Sequence, residues 1–213
     1  MIDITSYKKK IVDQKKHIIV PKKIKETELI QSFENGKAIK DILLPMFVKA
    51  SPDSLVIDSK KLDEGIDEIL ENFQKEVLDL LQNEEEEFHL RHKSGNLLGQ
   101  NLFEIANTAN LYLSNKYTRV ISENLGHKLE DIATLSHKII NPEFHFGFKI
   151  KGVDVILFKN NDFHFCQLKT KKDTLTGSQK SRSEKELEIH ASSKFVACLS
   201  LGNWTFNTQI SNI

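Results

Sequence analysis

A chain of 213 residues can bury one good core, with room for an appended subdomain, and its 30 basic side chains balance its 30 acidic ones, so global charge gives no support to nucleic-acid binding. No apolar run is long enough to span a bilayer, and the N-terminus is charged where a secretion signal would be apolar, so a soluble cytoplasmic protein is expected. The two cysteines form no CxxC pair and the eight histidines show no zinc-ligand spacing.

Charge is unevenly distributed along the chain. The first 25 residues carry eight lysines against Asp3 and Asp13, a net of six positive, and read either as an arm that tracks a DNA backbone or as a lysine-rich helix and edge strand in solvent. Thr27 to Ala50 is helical by pattern with a break expected at Pro45, and Ser51-Pro52-Asp53 ends the segment. Leu62 to Phe88 spaces Ile66, Ile69, Leu70, Phe73, Val77, Leu80 and Leu81 by three and four, a long amphipathic helix. Residues 61–88 hold eleven acids against Lys61 and Lys75, a face unsuited to DNA. Its apolar stripe can pack on the core or on a second subunit.

Asn96 to Leu113 places Leu98, Leu102, Ile105, Ala109 and Leu113 at helical spacing, with Gln100, Glu104 and Asn107 on the opposite stripe and Ser94-Gly95-Asn96 to cap it. Asn141 to Ile150 follows a different period: Phe144, Phe146, Phe148 and Ile150 alternate, which predicts a first strand with Glu143 at its start.

The most informative passage is Gly152 to Thr170. Val153–Phe158 and Phe163–Lys169 are rich in β-branched and aromatic residues, and Lys159-Asn160-Asn161-Asp162 between them is turn-forming. A two-residue turn at Asn160-Asn161 makes Phe158 meet Phe163, Ile156 meet Phe165 and Asp154 meet Gln167, with Lys169 on the same face. That face is apolar until its end, where an acid, an amide and an amine gather. Thr170 to Lys185 then carries Lys171, Lys172, Lys180, Arg182 and Lys185 against Asp173 and Glu184, with Thr174, Thr176, Ser178 and Gln179 interspersed. Ser183 to His190 turns helical, with Ser183 as a possible cap and Leu187 and His190 inward. Lys194 to Leu201 is an apolar run suited to a buried strand. Cys166 and Cys198 fall on core-type faces of these strands, where they can be neighbours in the sheet.

A carboxylate and an amide oxygen on adjacent strands can share a hard divalent cation such as Mg²⁺, and a neighbouring ammonium suits an anionic substrate. Such a cation polarises a phosphoryl oxygen and acidifies a bound water, the chemistry of phosphodiester hydrolysis. The same residues also read as solvated strand ends, and the loop after them as a solvated Ser, Thr and Lys-rich connection.

The spacing of Asp154 from Gln167-Leu168-Lys169, between hydrophobic strands, resembles the PD-(D/E)xK nuclease signature, and in particular the core of type II restriction endonucleases. Val153 stands at the proline of the motif name, and Gln167 replaces the second acid. The resemblance implies an α/β (α+β) fold with a mixed central sheet flanked by helices: an N-terminal, mostly helical region over 1–93 and a catalytic core over 94–213. It implies Asp154 and Gln167 as Mg²⁺ ligands, Glu104 on the preceding helix as an auxiliary ligand with Glu143 as a secondary candidate, and Lys169 positioning the attacking water. It further implies Lys171, Lys172, Thr174, Ser178, Gln179, Lys180 and Arg182 on double-stranded DNA, a homodimer, and a DNA methyltransferase in the same system. Two other classes stay open: a nuclease of the same core with a repair or defence duty, and a non-catalytic module whose acidic helix binds a protein.

Overall fold

Asn160 and Asn161 both adopt positive φ, 53° and 59°, in the computed structural model, which describes residues 3–93, 102–106, 108–172, 177–199, 202 and 211–212. Two successive left-handed residues make the tight turn whose twist matches paired strands. It joins β2 (Val155–Lys159) to β3 (Asp162–Lys169) in the expected register, Phe158 opposite Phe163 and Ile156 opposite Phe165. Asp162 at the turn pairs with Lys40 at 2.6 Å and accepts from the Phe163 N–H and the Ser192 hydroxyl. Burial pushes its carboxyl up, yet these partners together hold it below its usual range.

Among the described residues the sheet has five strands in the order β1-β2-β3-β4-β5, with β1 at Ile139–Ile140, β4 at Ser193–Ala197 and β5 at Ser211–Asn212. The first three are antiparallel; β4 runs parallel to β3, and β5 to β4. A parallel neighbour needs a crossover, and helix α7 (Gly177–Glu188) supplies it. The strand expected over 194–201 thus ends at Ala197; residues 200 and 201 lie outside the described residues. Cys166 is opposite Lys194, so Cys198 is displaced along the sheet and the two free thiols are not neighbours.

Chain contacts divide the molecule into two units, one of Met1–Asp63 with Leu129–Ile213 and one of Glu64–Lys128. In the first, α1 (Lys8–Lys15) packs on α2 (Thr27–Lys49), and α2 packs on β3. Ile11 is fully buried, and Lys8 and Lys15 lie over the Phe148 ring, so the basic beginning is in part a packed helix, and no strand forms over residues 16–26. α2 continues through Pro45 where a break was expected. Pro45 faces solvent, while Leu43 and Phe47 are buried, and this packing outweighs the lost hydrogen bond. Phe47 meets Phe158 and Phe163 with ring centroids 5.3 and 5.1 Å apart, the centre of the core.

The strand expected over 141–150 is instead a one-turn helix, α6 (Pro142–Phe146). Asn141 caps it, accepting from the Glu143 and Phe144 N–H groups at 3.0 Å, Pro142 opens it, and Gly147 at φ 68° closes it. These are complete start and stop signals, and they prevail over the alternating phenylalanines. Phe146 is buried and Phe144 is 78% exposed.

The second unit holds most of α3 (Ser59–Lys93), the long acidic helix, and most of α5 (Ala109–Thr134), which returns beside it. Phe88 stacks on Tyr112, Glu84 pairs with Lys116 and Glu76 with Lys128, contacts whose opposite order along the two helices makes them antiparallel. The helix expected over 96–113 is interrupted: α4 (Leu102–Ile105) ends before α5 begins, with Thr108 turning back to the Phe103 carbonyl at 2.7 Å. Residues 94–101 and 107 lie outside the described residues. The fold is mixed α and β, and among the described residues no helix is long and apolar enough to cross a membrane.

Candidate functional site

The approach to β2 is fastened from two sides. Asn35 and Ser32 of α2 take the Lys149 carbonyl and the Lys151 N–H at 3.0 and 2.9 Å, and Lys151 pairs with Glu28. Gly152 then turns at φ 76°, where a Cβ would stand 2.6 Å from the Glu186 Cβ. Only glycine both adopts that backbone and lets the turn rest on α7.

Two residues on, Asp154 donates its N–H to the Cys166 carbonyl at 2.9 Å, and its Oδ2 accepts from the Leu168 N–H at 2.7 Å. The carboxylate is therefore held on β3 at the residue between Gln167 and Lys169. Gln167 Oε1 is buried and has no hydrogen-bond partner. An amide oxygen in that state has lost its water without replacement, and it is suited to a cation or an ordered water. Lys169 is partly buried: burial pulls its pKa below the ordinary lysine value, opposed by the charges of Asp154 and Glu186.

Other expected residues are distributed differently. Glu104 belongs to α4 in the second unit, whereas Asp154, Gln167 and Lys169 belong to the first. Glu143 is exposed in the first turn of α6 rather than at the start of a strand. Lys171 is exposed and Lys172 half-buried just after β3; Gln179 is exposed and Lys180 half-buried on α7. Thr174 lies outside the described residues, as does the side chain of Ser178. Arg182 has a largely exposed side chain whose Nε donates to Glu186 Oε1 at 2.8 Å. Ser183 is not a cap: α7 starts six residues earlier and buries it mid-helix.

Glu186 is the residue missed at the level of sequence. It is 7% exposed, and its signal was the stripe Ser183, Leu187, His190, whose spacing of three and four also turns position 186 inward.

Among the described residues no three His, Cys, Asp or Glu side chains form a group able to hold a metal. What the hairpin end offers is one carboxylate and one amide oxygen, both hard oxygen donors, which fit Mg²⁺ if waters fill most of its shell. A cavity of about 300 Å³ opens elsewhere in this unit, between Ile24, Leu29 and Ile189, and it does not include Asp154, Gln167 or Lys169. Comparison with protein-family models, curated protein sequences and solved structures finds no match.

Proposed function

We propose that this protein is a Mg²⁺-dependent, sequence-specific endonuclease that hydrolyses phosphodiester bonds in double-stranded DNA, in the manner of type II restriction endonucleases. The observation that supports the reading best is the hairpin end: a carboxylate clamped to the Leu168 N–H, beside a buried amide oxygen with no partner and a partly buried amine. Asp154 and Gln167 would hold Mg²⁺, which would supply polarisation of the phosphoryl group and acidification of a water.

The chain's own residues do the rest. The Leu168 N–H fixes one Asp154 oxygen, so the carboxylate is held in place on β3 before any ligand arrives. Lys169 orients the attacking water or neutralises charge developing on the phosphate; its depressed pKa lets it exchange a proton more readily than an exposed lysine. Lys171, Lys172, Lys180 and Arg182 would hold phosphates, with Thr174, Ser178 and Gln179 adding hydroxyl and amide contacts. The working unit is a cytoplasmic homodimer matched to a two-fold DNA site, protected in its host by a DNA methyltransferase. Lys169→Ala abolishes cleavage of a plasmid panel, a fall of about 10³-fold or more, while circular dichroism is unchanged. Full activity in that variant removes the proposal, and smears in place of discrete bands from genomic DNA redirect it to a repair or defence nuclease.

A second reading has its own observation. Leu78 and Leu90 on α3 are 60% and 67% exposed, apolar surface suited to a protein partner in a non-catalytic module. No heat with Mn²⁺ or Ca²⁺ and no retention of DNA would favour it.

A further inference from the structure

The acid that the nuclease pattern asks for next to Lys169 is absent from β3, where Gln167 stands, and α7 presents a carboxylate at the same level. α7 connects the parallel strands β3 and β4, so it runs antiparallel to β3. His190, in the turn that follows α7, stacks on Phe165 at 4.4 Å. Four residues back from His190, about 6 Å along a helix axis, stands Glu186. Two residues on from Phe165, about 6.6 Å along the strand and on the same face, stands Gln167. Glu186 is thereby carried toward the Gln167–Lys169 end of β3, where Lys169 senses the charges of both Asp154 and Glu186. The contact of Gly152 with Glu186 brings the start of β2, and with it Asp154, to the same place.

Glu186 is a buried carboxylate among cations: Arg182, 70% exposed at its side chain, pairs with it, Lys151 Nζ stands 3.9 Å away, and Lys169 on β3 senses its charge. The Arg182 pair is screened by solvent and easily exchanged, so the carboxylate can take a bound cation as a further partner. Among the described residues, Glu186 Oε2 accepts no hydrogen bond.

We propose that Glu186 is the acid missing from position 167: with Asp154 and the Gln167 amide oxygen, it completes a divalent-cation site between α7 and the β2–β3 hairpin. The proposal rests on the metal-dependent nuclease reading and changes its ligand set, placing the compensating charge on the helix after the strand. Arg182 then has two partners to choose between. A DNA phosphate that draws Arg182 away leaves Glu186 to the cation, so substrate binding and metal binding reinforce each other.

Calorimetric and electron-paramagnetic titration with Mn²⁺ tests this on the full chain, with thermal melts alongside. Glu186→Gln keeps an oxygen for Arg182 and removes the charge; it should weaken Mn²⁺ binding about tenfold or more, as Asp154→Asn does. Adding Gln167→Glu to Glu186→Gln returns a carboxylate to the same cation and should restore the affinity. Wild-type affinity in Glu186→Gln, with loss in Asp154→Asn, overturns the role of Glu186 and leaves the nuclease reading standing. Wild-type protein that takes up no Mn²⁺ overturns both. If Glu186→Gln does not fold, Glu186→Asp decides: it keeps the charge but withdraws it by one methylene, and Mn²⁺ affinity equal to wild type overturns the assignment.

Discussion

One face of the β2–β3 hairpin has two ends built on opposite principles. At the turn end, Phe158, Phe163 and Phe165 close against Phe47, Gly36 and His190 with scarcely any exposed surface. At the other end, Asp154, Gln167 and Lys169 continue the same alternation with polar groups, one of them a buried oxygen without a partner. The first end lowers the free energy of the fold. The second raises it, and the phenylalanine core offsets that cost. Unsatisfied polarity held in place by a rigid apolar neighbour is what a site for a charged ligand requires.

The contrast can be broken from the apolar side. Phe163→Ala removes a fully buried ring that touches both Phe47 and Phe158, and should cost about 3–5 kcal/mol in a urea titration. Lys169→Ala should leave the same titration nearly unmoved. If the two variants lose equal stability, the division between a packing end and a working end fails.

Acid should separate the ends next. Burial lowers the His190 pKa to about 4, because the ring sits on Phe165 against Gly36 and its Nε2 has no hydrogen-bond partner. The folded protein keeps His190 neutral down to that value, while in the unfolded chain the ring takes up a proton below its ordinary pKa near 6.5. Protons therefore bind the unfolded state preferentially between those limits, and stability falls as pH drops through the window. The loss reaches on the order of 3 kcal/mol by pH 4. His190→Phe should flatten that part of the profile in thermal melts; an unchanged slope would show that other groups drive it.

The smallest effect concerns Gly36. A Cβ there would stand 2.8 Å from His190 Cε1 and 2.9 Å from Phe165 Cε1. Gly36→Ala gains about 1 kcal/mol of helix propensity and loses about 1–3 kcal/mol to overpacking, so a net destabilisation of about 1 kcal/mol is expected from denaturant midpoints. Net stabilisation would mean that α2 yields without loss at the turn end.

The hairpin was legible because its information is local. Two asparagines tolerate positive φ, and a period of two on either side sets the register once the turn length is known. The same period misled at 141–150, where Asn141, Pro142 and Gly147 cap a helical turn; Phe146, Phe148 and Ile150 of the alternating set still join the core, and Phe144 is turned to solvent. End signals there outweigh periodicity because one turn of helix satisfies the same backbone groups within seven residues. Glu104 and Glu186 show the limit for the site. Both are glutamates on helices, and only packing separates a residue in another unit from one buried against Gly152.

Sequence alone determined the two-residue turn at Asn160-Asn161, the pairing of β2 with β3, the long acidic helix and the order in which acid, amide and amine follow the aromatic face. Each depends on contacts a few residues apart or on a period that side-chain chemistry displays. Tertiary structure decided that α2 runs unbroken past Pro45, that Asp154 is anchored to the Leu168 N–H, and that Glu186 is buried against Gly152. Those outcomes depend on which distant surfaces exclude water from each other, and no local pattern carries that information.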